Sequence, residues 1–218
     1  MSYRTFFNIC SCFFLTAFFS FAFAVHSDGL LSLAEVQAIA EKVDSELYPD
    51  ADTVLVEDFI YSKYEKDGTS VTWGDWVSKV LTEKGKETSR TVSMHYNSSY
   101  AKAEFVLVQI IKPNGEIINA DLGRQSQEMI DPSQMSSNIY DPNNKILRVT
   151  LADLEPGDLI RVLNKKETFK ARVPDSFSDY QIFEYSSPII SLNYTIDAPE
   201  ELPLKSIVLK NEIAGTVQ

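Results

Sequence analysis

The feature that most constrains the fold of this chain is a long succession of short segments rich in β-branched and aromatic residues. Such segments, bounded by turn sequences, are typical of β-strands. They span residues 53–61, 71–82, 91–96, 104–112, 116–118, 146–151, 159–163, 180–185, 189–196 and 205–209. Successive short strands with little helix between them favour antiparallel pairing over a parallel α/β sheet. The sequence therefore predicts a mainly β fold, an antiparallel two-sheet β-sandwich.

Turn sequences support the same interpretation. Lys66-Asp67-Gly68 and Lys84-Gly85 each separate two predicted strands. Pro113-Asn114-Gly115 lies between two apolar segments, and a short loop of this composition is a strong signal for a β-hairpin. We therefore expect residues 104–112 and 116–118 to pair with each other.

One helix is predicted, from about Leu33 to Leu47. Ser32 and Glu35 have the spacing of a capping box, and Pro49 follows the segment. Apolar residues recur at helical spacing along one side, while acidic residues occupy the other side. Because the polar side carries little positive charge, packing against a sheet is favoured over binding to a membrane surface. We expect one N-terminal helix docked on the outside of the sandwich.

The first residues have the composition of an export signal. Arg4 precedes an apolar run over residues 6–23, and Ala22-Phe23-Ala24 has the small-x-small pattern that a signal peptidase accepts. A retained membrane anchor and a lipoprotein signal are the alternatives. The sequence predicts a signal peptide at residues 1–24, an N-terminal segment with the docked helix at 25–50, and a β-sandwich module at 51–218. The mature protein is then periplasmic or extracellular, without a stable membrane span.

The positions of the cysteines and histidines limit the available chemistry. Both cysteines, Cys10 and Cys12, lie inside the predicted signal, and the histidines are His26 and His95. A mature chain without cysteine has neither a thiol nucleophile nor a disulfide. A metal site normally needs several convergent ligands, so we expect neither a catalytic site nor a metal or other cofactor. Calcium at the Asp-rich stretch from Asp131 to Asp141 is an alternative. The net charge of −11 argues against nucleic acid as a partner.

Aromatic residues and one long polar stretch provide the candidate partner site. Residues 121–144 are rich in Asp, Ser, Gln and Asn and predict a long connection, either a binding loop or a solvated excursion. Trp73 and Trp76 are three residues apart in a predicted strand, so their side chains should point to opposite faces. We expect a partner-binding surface that includes Trp73, Trp76, Asp131 and Tyr140. The alternative is that both tryptophans are simply packed in the core.

Four short motifs, taken in order, resemble a known family. They are Tyr48-Pro49-Asp50-Ala51-Asp52, then residues 79–85, 111–116 and 154–160. Their order and spacing are similar to the bacterial domain-of-unknown-function family found N-terminal to transglutaminase-like domains in exported cell-envelope proteins. The similarity runs from about Tyr48 to Leu209. Arg161 departs from it, because an acidic residue is expected at that position.

The resemblance implies an accessory role. We expect a non-enzymatic exported binding module that recognises or positions a polypeptide or an envelope glycan. A transglutaminase-like domain, in the same chain or in another one, is the implied partner. The alternative is that the chain is the N-terminal part of a longer cysteine-dependent transglutaminase or protease whose catalytic domain is absent from this sequence.

Overall fold

The computed structural model describes residues 30–137, 140–183 and 185–207, and its strands form two sheets that pack face to face. The elements in chain order are α1 (Leu33–Ala40), β1 (Thr53–Tyr64), β2 (Ser70–Val80), α2 (Glu83–Ser89), β3 (Thr91–Asn97), β4 (Ala101–Ile111), β5 (Ile117–Asn119), α3 (Leu122–Gln125), β6 (Ser126–Ile130), β7 (Asn144–Thr150), β8 (Leu159–Thr168) and β9 (Ile189–Asp197). A short 3₁₀-helix, Pro132–Ser137, follows β6. The predicted mainly β sandwich is confirmed. The predicted signal peptide at residues 1–24 lies outside the described residues.

The larger sheet has six strands in the order β5-β4-β8-β2-β1-β9. The predicted hairpin is confirmed, since β4 and β5 pair in antiparallel register with Ile111 opposite Ile117. Gly115 in its turn has a φ of 84°, a left-handed conformation that glycine adopts without steric cost. Strand β9 departs from antiparallel pairing, because it runs parallel to β1 from Leu55 opposite Ile189 onward.

The smaller sheet, in the order β3-β7-β6, covers one end of the inward face of the larger sheet. Val92 of β3 and Val149 of β7 are directly opposite each other and point toward the larger sheet. From the larger sheet, alternate residues of β4 and β8 meet them, as period-two alternation requires. The apolar core formed in this way contains Val80, Val92, Phe105, Val108, Ile110, Val149, Leu151, Leu154, Ile160 and Val162.

The opposite face of the larger sheet carries α1. Val36 and Ala40 on the helix are buried against Val56, Val77 and Leu159 of the sheet. This contact confirms that the N-terminal helix docks on a sheet rather than inside the sandwich. The six-stranded sheet is therefore the middle layer, with the small sheet on one side and α1 on the other.

The helix is shorter than the sequence pattern predicts, because it ends at Ala40 and not at Leu47. Lys79 of β2 donates from Nζ to the carbonyl oxygen of Ala40 at 2.9 Å, which satisfies a carbonyl at the helix end. Beyond it, Asp44 Oδ1 accepts hydrogen bonds from the backbone N–H of Glu46 and Leu47, a side-chain turn that competes with helix. The predicted capping box also fails, since the Ser32 side chain makes no capping hydrogen bond.

Four further local predictions were wrong. Residues 180–183 and 185 do not form the predicted strand. Residues 205–207 do not form the other one, and residues 208–209 lie outside the described part.

The polar connection predicted at 121–144 contains a strand, β6, because β7 offers a free edge for Ser126–Ile130 to pair with. The turn predicted at Lys84-Gly85 is the first part of α2, where the Thr82 side chain accepts a hydrogen bond from the Gly85 N–H at 3.0 Å.

A buried ion pair ties the segment before α1 to the large sheet. Asp75 of β2 and Arg161 of β8 are 0% and 4% exposed. Arg161 donates from Nε to Asp75 Oδ1 at 3.1 Å and from Nη2 to Oδ2 at 2.9 Å. Asp75 Oδ2 also accepts from the backbone N–H of Leu30 at 2.7 Å and of Leu31 at 3.1 Å. The arginine that departs from the family pattern is therefore a structural partner of Asp75.

Candidate functional site

A cleft opens at the end of the sandwich away from the apolar core, because the inward faces of several strands change from apolar to polar along their length. On β8, the buried Ile160 and Val162 are followed on the same face by Lys166 and Thr168. Equivalent changes run from Trp76 to Thr72 and Ser70 on β2, from Met94 to Tyr96 on β3, and from Leu147 to Lys145 on β7. Polar side chains do not fill the space between sheets as apolar ones do, so a cleft remains.

A strap formed by residues 169–179 closes one side of the cleft. Its first residues are held by the carbonyl oxygen of Tyr100, which accepts from the N–H of Phe169 at 3.0 Å and of Lys170 at 3.2 Å. Phe177 stacks on the buried Tyr64, with ring centroids 4.1 Å apart and planes within 1° of parallel. Gly68 lies so close to the strap that a β-carbon there would be 2.3 Å from the carbonyl oxygen of Ser176. The strap is thus attached at several points.

The cavity between the two sheets and the strap has a volume of about 430 Å³. The large sheet contributes Ser70, Thr72, Ala101, Lys166 and Thr168; the small sheet and adjoining loops contribute His95, Tyr96, Asn97, Asp131, Asn144 and Lys145; and the strap contributes Ala171, Arg172, Val173, Ser176, Phe177, Ser178 and Asp179. Polar groups, which include hydroxyls, amides and charged side chains, form slightly more of this surface than apolar groups do. A lining of this kind favours a polar or charged ligand over an apolar one.

Three cations line the cleft from three different elements. Lys145 comes from β7 of the small sheet, Lys166 from β8 of the large sheet, and Arg172 from the strap. Among the described residues, neither Lys145 nor Lys166 has a carboxylate within ion-pair distance. The guanidinium of Arg172 lies 4.9 Å from the centre of the Tyr100 ring.

The two carboxylates that line the cleft already have hydrogen-bond donors. Asp131 Oδ2 is 2.9 Å from Nδ1 of His95, and Asp131 Oδ1 accepts from the Ser133 N–H at 2.9 Å. The hydrogen bonds from Ser133, and then the contact with His95, hold the pKa of Asp131 below its ordinary value. Asp179 Oδ2 accepts from the Tyr194 hydroxyl at 2.6 Å. Both carboxylates therefore accept hydrogen bonds from donors that are already in place.

The loop that follows β6 is shaped by an amide and carboxylate network. Asn97 donates from Nδ2 to Asp141 Oδ2 and to Asn144 Oδ1, both at 2.8 Å. Asp141 Oδ1 accepts from the Asn143 N–H at 2.9 Å, so this carboxylate closes a side-chain turn. In the described ranges, no three His, Cys, Asp or Glu side chains converge in a way that would hold a metal ion.

The candidate residues from the sequence are distributed over different places. Asp131 lines the cleft, whereas Tyr140 is 61% exposed and is not among the lining residues. Trp76 packs against the apolar core between the sheets. Trp73 points to the opposite face of β2, with Lys165 Nζ 5.4 Å from its ring centre. The structure therefore places the two indoles on opposite faces and brings only Asp131 of the four to the cleft.

Sequence reasoning missed the cations and the strap. On the inward faces, Lys145 precedes Leu147 and Val149 of β7, and Lys166 follows Ile160 and Val162 of β8; this change from apolar to polar within a period-two pattern is a signal that the sequence contains. Arg172 carries no such signal, because it lies in an irregular segment whose position depends on the contacts of Tyr64 and Gly68.

Together, the sheet order and the packing of α1 define the protein as a β-sandwich with one docked helix. Residues 66–217 match the family described as a domain of unknown function with a solved structure, DUF3857. The chain belongs to this family. A comparison with curated protein sequences found no match.

Solved structures with a similar fold include a protein from Parabacteroides distasonis described as a "putative protease". The two share 16% sequence identity with a TM-score of 0.63 over 70% of this chain, and this likeness concerns the fold. The chain spans 30% of the length of that protein. A carbohydrate-binding module from a Clostridium thermocellum scaffoldin aligns at 11% identity over 61% of this chain and 79% of the module; with a TM-score of 0.33, it carries no weight here.

Proposed function

We propose that this chain is an exported, non-catalytic binding module whose cleft holds a polypeptide or an envelope glycan. The observation that carries the proposal is the cleft of about 430 Å³ between the two sheets. Its volume lies within the range of ligand sites, and polar groups from three walls converge on it. Loops attached to a rigid sandwich are a common location for such sites.

The chemistry of the cleft supports binding rather than catalysis. His95 and Asp131 form a pair that resembles part of a hydrolase triad. Within the described residues, however, Nε2 of His95 has no hydroxyl at hydrogen-bond distance. A serine nucleophile would need this contact for activation. The two cysteines of the chain lie at positions 10 and 12, inside the predicted signal.

Export is supported by the N-terminal sequence. The basic Arg4, the apolar run at 6–23 and the small residues that follow have the order of a secretory signal. No helix in residues 30–137, 140–183 and 185–207 has the length and apolarity needed to cross a bilayer. From the N-terminal sequence alone, we propose that the module is periplasmic or extracellular. Its resemblance to domains beside transglutaminases suggests that it presents its ligand to such a domain.

The second candidate is the N-terminal part of a longer cysteine-dependent transglutaminase or protease. One observation favours it: the protein of similar fold that is described as a "putative protease" is much longer, and this chain spans 30% of its length. Reading the genomic sequence beyond codon 218 distinguishes the two candidates. A Cys-His-Asp domain in the same reading frame would support the second one.

A substitution that fills the cleft tests the proposal directly. Thr168 is half-buried at the end of β8 and points into the cleft, whereas Glu167 beside it points to the opposite face. The protein exported from the full chain is mixed with purified peptidoglycan sacculi and, separately, with an array of unstructured peptides. We expect Thr168→Trp to weaken binding roughly tenfold or more, because an indole occupies the ligand's space. Glu167→Trp, the matched control, should bind as the parent does.

Two outcomes would contradict the proposal. The first is that the parent protein retains neither sacculi nor any peptide. The second is that Thr168→Trp and Glu167→Trp bind equally well while both keep the thermal unfolding midpoint of the parent.

A further inference from the structure

The charge of the cleft differs from that of the rest of the chain. The whole sequence has a net charge of −11. The cleft lining contains Lys145, Lys166 and Arg172 against Asp131 and Asp179, a formal balance of 3 − 2 = +1. The two carboxylates are occupied by donors from His95, Ser133 and Tyr194, and Arg172 interacts with the Tyr100 ring and with the charge of Asp141. Lys145 and Lys166 are therefore the charged groups most available to a ligand, with Arg172 beside them.

The two lysines face the same space from opposite walls. Lys145 projects inward from the small sheet and Lys166 from the large sheet. Two ammonium groups directed at one cleft repel each other, and this repulsion is removed when an anion lies between them. The cleft thus offers an anion a local excess of positive charge on a protein whose net charge is negative.

The aromatic residues of the cleft are already engaged. The Tyr96 hydroxyl donates to Glu128, and Phe177 stacks on Tyr64. The ring of Tyr100 has Arg172 at 4.9 Å and Lys170 at 5.7 Å from its centre. Recognition of a sugar ring usually needs an open aromatic face. Charged and hydroxyl groups, rather than stacking surfaces, are therefore what the cleft offers.

From these observations we infer that the ligand of the cleft is an acidic segment of a polypeptide, held by Lys145, Lys166 and Arg172. This inference rests on the proposed function and specifies its ligand. Side-chain carboxylates accept charge-assisted hydrogen bonds from the lysines and the guanidinium. The hydroxyls of Ser70, Ser176 and Ser178 are available to the peptide backbone.

The test uses a fluorescein-labelled hexaglutamate peptide and the protein exported from the full chain, with binding followed by fluorescence anisotropy. Hexaglutamine and hexalysine peptides are the charge controls, and polygalacturonate represents an acidic glycan. The Lys145→Gln/Lys166→Gln double variant should weaken hexaglutamate binding about tenfold or more, because two charge-assisted hydrogen bonds are lost. Lys42→Gln/Lys205→Gln, which changes the net charge equally at exposed positions away from the cleft, should stay within about twofold.

The outcomes separate this inference from the proposed function. If hexaglutamine binds as well as hexaglutamate, or if both double variants weaken binding equally, an acidic ligand is ruled out. If polygalacturonate binds and hexaglutamate does not, the ligand is an acidic glycan and the peptide assignment is wrong. In either case a loss of sacculus or peptide-array binding in Thr168→Trp still upholds the cleft as the binding site. Unfolding midpoints of the variants, measured in parallel, confirm that each one is folded.

Discussion

Removing one member of the buried Asp75–Arg161 pair should strongly destabilise the protein. Both side chains are almost completely inaccessible, and two hydrogen bonds join them. Loss of one partner leaves the other buried charge without its counter-ion, which costs about 3–5 kcal/mol. A domain of this size is stable by only about 5–15 kcal/mol, so Arg161→Met should shift unfolding to a much lower urea concentration.

The double variant provides the sharper measurement. Asp75→Leu/Arg161→Met removes both charges, so it should recover part of the loss of either single variant. Recovery should be incomplete, because the half-buried N–H groups of Leu30 and Leu31 lose their acceptor, and each orphaned donor costs up to about 1–3 kcal/mol. Urea unfolding followed by circular dichroism gives the free energies of the four proteins of the cycle.

A surface pair serves as the control for this cycle. Lys63 and Asp197 are 4.0 Å apart, with side chains 53% and 51% exposed. Lys63→Met should change the free energy of unfolding by less than about 0.5 kcal/mol. If Arg161→Met costs no more than Lys63→Met, the reasoning about the buried pair is refuted.

Two further predictions concern β1 and β2. Burial, with the nearby charges of Glu57 and Asp75, raises the pKa of Asp58 to about 6. The folded state then binds more protons than the unfolded state between about pH 4 and pH 6, so stability should fall as the pH rises through that window. Asp58→Asn should remove this decline and stabilise the protein at pH 7 by about 2 kcal/mol. If the urea midpoints of the parent and of Asp58→Asn depend on pH in the same way, this assignment of the pKa is contradicted. Trp76→Ala should cost about 3 kcal/mol because the indole packs on the core, and Trp73→Ala about 1 kcal/mol. Equal costs in thermal or urea unfolding would show that both indoles are core residues.

The sequence by itself determined the class of fold and most of the strands. Segments rich in β-branched and aromatic residues identified eight of the nine strands in the described residues, all except β6, with shifts of a few residues, and Asn114-Gly115 specified the β4–β5 hairpin. These signals are local, because the face on which a side chain lies and the turn that a dipeptide favours depend on nearby residues. The opposite orientations of Trp73 and Trp76 followed from the same periodicity.

Tertiary structure decided which elements meet. The sequence does not specify that β8 pairs between β4 and β2, or that β9 runs parallel to β1, because strand pairing is a long-range choice. α1 ends at Ala40 through a contact with Lys79, which is distant in sequence.

The cleft depends on the same long-range contacts. Lys145, Lys166 and Arg172 meet only because two sheets and a strap place them around one space. Period-two alternation assigns Lys145 and Lys166 to inward faces, but the distance between those faces is set by the packing of the core. Local sequence therefore determined most of the strands and their faces, whereas the binding site exists only in the folded chain.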